Sequence, residues 1–285
     1  MILFHDPRCL KYSRAGHVER PARISEPVPR LRERHPQWEW RTPTAPNESS
    51  LKRAHSHVHL ETIRRAAADF DADSPAYPEI FEHAARASGA AIDVARTALA
   101  GEKSFSLMRP PGHHATRDQA MGFCYFNHIA IAALEALAQG ADRVAIWDFD
   151  AHHGNGTEAI VRGNPRIAFA SVHQHPAYPG TGTESFDNIR NFPIAPESPR
   201  PRHMAAIEQS LSALLESKPD LLLVSAGFDA YAGDPITQMT LVEEDFATCG
   251  KWLREAGVPA GAILEGGCSD QLPQLIECFL AAWAE

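Results

Sequence analysis

Five short apolar runs, each breaking into a loop of glycine, histidine or aspartate, constrain this chain more than any other feature. They are SFSLMR (104–109), RVAIWDFD (143–150), RIAFASVH (166–173), DLLLVSAGFD (220–229) and PAGAILEGG (259–267). Runs of this length, rich in β-branched and bulky residues, read as strands buried on both faces. Between them, FEHAARASGAAIDVARTAL, FNHIAIAALEALAQ, RHMAAIEQSLSALLES and EEDFATCGKWLREAG repeat apolar residues every three or four positions, the period of an amphipathic helix. Strands alternating with helices build βαβ units. The expectation is an α/β fold, a large parallel sheet flanked by helices on both faces, within one domain spanning 1–285. The Pro-rich stretch NFPIAPESPRPRH (191–203) reads as a surface connection.

Open parallel sheets bind ligands beyond the carboxyl ends of their strands. The five runs are followed there by PPGHHA, DFDAHHGNG, HQHPAYPGTG, GFDAYAGDP and EGGCSD, which concentrates the polar chemistry on one edge. In WDFDAHHGNGTE (147–158), Asp150 and His152 are two residues apart, so an extended backbone turns both to one side. A carboxylate oxygen and an imidazole nitrogen on one ion suit Zn2+ or another divalent first-row metal. Asp229 closes a different apolar run and offers a third ligand, leaving a fourth position open as a catalytic site requires. His113 and His114 follow two prolines and a glycine that fix the backbone, which suits general acid and base groups. A polar turn, a helix cap and a solvated histidine pair are the bland alternatives. Convergence on one edge outweighs them.

The formal net charge is −9 and Lys and Arg are scattered, which argues against a nucleic-acid partner and tolerates a cationic substrate. The five cysteines, Cys9, Cys124, Cys249, Cys268 and Cys278, include no C-x-x-C pair, so neither a disulfide framework nor a zinc ribbon is expected. No apolar run approaches the roughly 18 residues that cross a bilayer. A soluble cytoplasmic protein without a membrane partner is expected, and oligomeric state has no signal.

RPPGHHA, GFCYFNHIAIAA, WDFDAHHGNGTE, SVHQHPAYPGTG, SAGFDAYAGDP and LEGG, in that order, resemble the zinc-dependent histone deacetylase superfamily, including bacterial histone deacetylase-like amidohydrolases and acetylpolyamine amidohydrolases. HVERPARI (17–24) is similar to the family's N-terminal signature. The resemblance implies the arginase/deacetylase fold and zinc ligation by Asp150, His152 and Asp229. It makes His114 the general base and acid and His113 its electrostatic neighbour, with Asp148 orienting His113 and Asn155 holding His114. Asparagine at 155 looks like the class II pattern. Gly122, Phe123, Tyr178, Gly266 and Gly267 would shape the passage for an acylated amine, although ordinary aromatic packing stays open for Tyr178. Asp148, Asp150, His152, Ser171 and Val172 match a monovalent-cation site, where potassium would be structural support. Arginases share the fold, but the further metal carboxylates they carry are replaced here by Gly154 and Tyr231, which disfavours a binuclear ureohydrolase.

The implied reaction is amide hydrolysis, with the zinc polarising the acyl carbonyl and a water while His114 takes the proton. In most of the family a tyrosine after EGG donates its hydroxyl to the developing oxyanion. This chain has Cys268 there, a weaker and shorter donor. Cys268 reads as a shortened oxyanion position, a fourth metal ligand or, least favoured, a nucleophile. The two functional readings are a deacetylase of reduced or altered activity and a catalytically silent binder of acylated lysine.

Overall fold

The computed structural model describes residues 1–285. Eight strands, β1 (Ile2–Phe4), β2 (Glu39–Arg41), β3 (Ser104–Ser106), β4 (Val144–Asp148), β5 (Ile167–Gln174), β6 (Ile189–Ile194), β7 (Leu221–Ala226) and β8 (Ala260–Leu264), form one sheet. Their order is β2-β1-β3-β8-β7-β4-β5-β6, and every pairing is parallel. Strands β4, β7 and β8 are buried at every residue, which is why their sequences run almost without polar interruption.

The helices are α1 (Ala22–Ser25), α2 (Pro27–Arg34), α3 (Glu48–Ala54), α4 (His57–Arg64), α5 (Ile80–Leu99), α6 (His128–Ala138), α7 (Asn155–Val161), α8 (Arg200–Leu215), α9 (Glu243–Glu255) and α10 (Leu272–Ala284). Helix α5 packs on α6, β3 and β8, α8 covers β4, β5 and β6, and α9 pairs with α10. The apolar residues buried between these layers form one continuous cluster.

All five expected strands and all four expected helices are present, but the structure adds β1, β2 and β6. The 191–203 stretch is therefore not a plain connection. It finishes β6 and opens α8. Strand β6 pairs only with β5, so the missing N–H of Pro193 costs no ladder bond to a further strand. Pro199 caps α8 and Pro201 lies in its first turn, where the N–H has no intrahelical partner in any case.

The chain leaves β3 for β4 by skipping the two central places that β7 and β8 fill later. The connections after β4 and β7, which are neighbours, therefore leave toward opposite edges of the sheet, and that switch opens a crevice at the carboxyl edge. The loops after β3, β4, β7 and β8 meet there.

Candidate metal and catalytic site

The loop after β4 is folded around its own carboxylates. The Asp150 N–H donates to Asp148 Oδ1 at 3.1 Å and the His152 N–H to Asp150 Oδ1 at 2.9 Å. Two neighbouring loops close on it: Asp229 Oδ1 accepts from the Ala151 N–H at 2.7 Å, and Asp150 Oδ2 accepts from the Gly266 N–H at 2.7 Å. Ligand atoms of Asp150, His152 and Asp229 all lie within 4.8 Å of one another. Glycine is needed at 266, because a Cβ there would stand 2.4 Å from Asp150 Oδ2 and 2.5 Å from Asp229 Oδ2.

The donor set fits a divalent cation. Both carboxylates are fully buried, and His152 Nδ1 lies 2.7 Å from Asp229 Oδ2 and 3.4 Å from Asp150 Oδ1. Burial and the Asp150 charge push Asp229 up to about 7. Burial likewise raises Glu265 to about 7. Asp229 is thus held back from ionising by burial and the neighbouring Asp150 charge, which a bound cation would offset. Two oxygens and one nitrogen leave room for a further ligand, the arrangement of a catalytic zinc site.

The adjacent histidines have opposite electrostatics. Burial opposes charge on His113, but Asp150 and Asp148 outweigh it and raise the imidazole to about 10. Its Nδ1 is 3.1 Å from Asp148 Oδ2 and its Nε2 3.7 Å from Asp150 Oδ1. Burial, with the charges of His113 and His152, holds His114 well below the usual histidine range. Its Nδ1 donates to Asn155 Oδ1 at 2.8 Å, so the neutral ring presents Nε2 as an acceptor. Glu265 Oε2 accepts from the backbone N–H groups of Gly112 at 2.7 Å and His113 at 3.1 Å. The histidine loop is thereby tied to the end of β8.

A cleft of about 400 Å³ opens over these groups. The metal trio, both histidines, Gly122, Phe123, Tyr178, Gly266 and Cys268 all line it. The Tyr178 ring stands edge-on to His114 with centroids 5.2 Å apart. Phe123 has a φ of +69°, a conformation costing about 1–3 kcal/mol in a non-glycine residue. Its N–H is held by Ser74 Oγ at 3.1 Å. Gly122, at φ +56°, leaves space that a Cβ would take 2.6 Å from His114 Cδ2. Gly267 is behind the wall, with its carbonyl accepting from Arg23 Nε at 2.7 Å. Asp148 and Asn155 also sit behind, each on a histidine. Ser171 pairs in register with Asp148, followed by Val172, and both are buried on β5.

The histone deacetylase domain model matches residues 17–283. The chain belongs to the histone deacetylase family. Among relatives of this family, a probable deacetylase of Methanothermobacter thermautotrophicus is 35% identical over 282 residues, 94% of this chain and 85% of that protein. An acetylpolyamine amidohydrolase of Mycoplana ramosa is 35% identical over 212 residues, 69% of this chain and 61% of that protein. A solved acetylpolyamine aminohydrolase from Burkholderia pseudomallei superposes with a TM-score of 0.90 over 100% of this chain and 98% of that chain, at 24% identity. That likeness bears on the fold alone, which is of the arginase/deacetylase type.

Cys268, the residue after the EGG turn, lines this cleft. Its N–H donates to Asp234 Oδ2 at 2.7 Å and its side chain reaches the cleft. The thiol is not in the metal-ligand group. Burial pushes it up to about 12 against the pull of Arg23, so it is neutral near pH 7, which weighs against a thiolate nucleophile.

Sequence reasoning missed a buried ionic frame beneath the site. The Arg109 guanidinium is fully buried, binds both carboxylate oxygens of Glu19 and donates to the Cys9 carbonyl at 2.9 Å. Arg23 binds the carbonyls of Glu265 and Gly267. The available signal was the charge in HVERPARI and the arginine of RPPGHHA, whose partners lie about 90 residues apart.

Proposed function

We propose that this chain is a zinc-dependent hydrolase of acylated amines, acting on acetyl-lysine, acetylpolyamine or a similar small amide. The observation that carries the reading is a neutral, oriented His114 beside the buried Asp150, His152 and Asp229 group. Zinc held by those three residues supplies Lewis acidity toward the acyl carbonyl and a water.

His114 Nε2 accepts the water proton while Asn155 fixes the ring through Nδ1, and the same nitrogen returns a proton to the departing amine. His113, whose ring centroid is 4.0 Å from that of His114, stays charged and stabilises negative charge as it develops. Phe123 and Tyr178 flank the stem of the acylated amine. The acidic balance of −9 suits an amine product. Asp148, Asp150, His152, Ser171 and Val172 are the expected potassium site, a support for the β4 and β5 ends. No helix is long and apolar enough to cross a membrane.

Cys268 leaves the oxyanion without its phenolic donor, and losing one such donor costs about 10²- to 10³-fold in turnover. The same residue favours the second reading, a silent binder of acylated lysine. Turnover of acetyl- and trifluoroacetyl-lysine reporters by the zinc-loaded protein and by Cys268→Tyr separates the two. The enzyme reading expects trifluoroacetyl turnover and a gain of about 100-fold on acetyl in the variant. Binding of both reporters without hydrolysis of either would overturn it.

A further inference from the structure

Cys268 borders two spaces besides the cleft over the metal ligands. One, toward Leu272 and Pro273, holds about 10 Å³, room for a single water at most. The other is a second cleft of about 480 Å³ whose walls include Arg14, His17, Arg20, Pro235, Ser269 and Asp270. Gly16, His17, Val18 and Cys268 line both large clefts, so the two clefts adjoin at these residues. A cysteine at 268 leaves more room at that junction than a tyrosine would.

The second cleft is polar, and only two of its ten lining residues are hydrophobic. A fatty tail would strip water from these groups without replacing their hydrogen bonds. Two guanidinium groups face one carboxylate along its walls. Arg14 is engaged twice by Asp69, at 2.6 and 2.9 Å. Arg20 makes one contact, 2.8 Å to Asp270 Oδ1, and Asp270 is 84% exposed, so an incoming carboxylate can replace it at little cost.

Resting on the hydrolase reading above, we propose that the acyl group this chain accepts is longer than acetyl and ends in a carboxylate, as succinyl and glutaryl groups do. The amide carbonyl lies over the metal ligands, the methylene chain passes Cys268, and the terminal carboxylate meets Arg20. Water adds across the C–N bond: the acyl carbon takes the hydroxyl, the nitrogen takes the proton, and a free amine and a diacid leave.

The test compares kcat/KM of the zinc-loaded full chain on acetyl-, hexanoyl- and glutaryl-lysine reporters. Binding of the same acylated peptides to zinc-loaded His114→Ala is measured in parallel, so that affinity is read without turnover. Glutaryl is expected to exceed both others by up to about fivefold in each measurement. Arg20→Gln should reduce the glutaryl-to-acetyl ratio, and Cys268→Tyr should reverse it. Acetyl equal to or better than glutaryl overturns the inference and leaves the hydrolase reading standing. Hexanoyl matching glutaryl overturns the anionic class. A glutaryl preference in binding with no turnover of any reporter supports the tail site and overturns the hydrolase reading.

Discussion

His113 and His114 are chemically identical neighbours that the fold drives to opposite protonation states. The pair itself is plain in RPPGHHA, but the difference is invisible there, since it comes from Asp148 and Asp150 beside His113, and from burial and the His113 and His152 charges around His114. The amide at 155 orients His114, and its pull toward the charged form is outweighed by burial and by the His113 and His152 charges. Asn155→Asp would place a carboxylate against Nδ1 and raise the His114 pKa by about 1–3 units. A base must be neutral to accept a proton, so the acid limb of the kcat/KM profile should move to higher pH by a similar amount. A pH–rate series on both proteins checks this, and an unmoved limb would assign it to another group.

Among the elements, the join between the β3 and β8 loops positions the chemistry, and Glu265 makes that join through two backbone N–H groups. Glu265→Ala leaves both donors buried without a partner, at about 1–3 kcal/mol each, so a loss of about 2–6 kcal/mol in unfolding free energy is expected. Glu265→Gln keeps an acceptor and should lose less. Urea unfolding of the three proteins gives the comparison. The long elements were legible because their periodicity is sustained, α5 over twenty residues most clearly. The three-residue strands β1 and β2 are too short to show a period, and proline disguised β6, whose edge position tolerates it.

For the whole molecule, the metal group couples loops from β4 and β7, so cation binding should stabilise the fold. Zinc at 100 times its Kd contributes about 2.7 kcal/mol. A chelator should therefore lower the Tm by several degrees, and His152→Ala should abolish the difference while leaving the metal-free Tm within a few degrees. Equal melting of wild-type protein with and without zinc would argue against the site. Local pattern alone determined the α/β class and pointed to one sheet edge and to Asp150, His152, Asp229 and the histidine pair as candidates, because strand ends and ligand types are written in consecutive residues. Only the tertiary structure decided the buried Glu19–Arg109 and Arg23 frame, the protonation of each histidine and the second cleft behind Cys268. Those properties arise from distances between segments that the chain separates by 90 residues and more, and from burial, which no local run encodes.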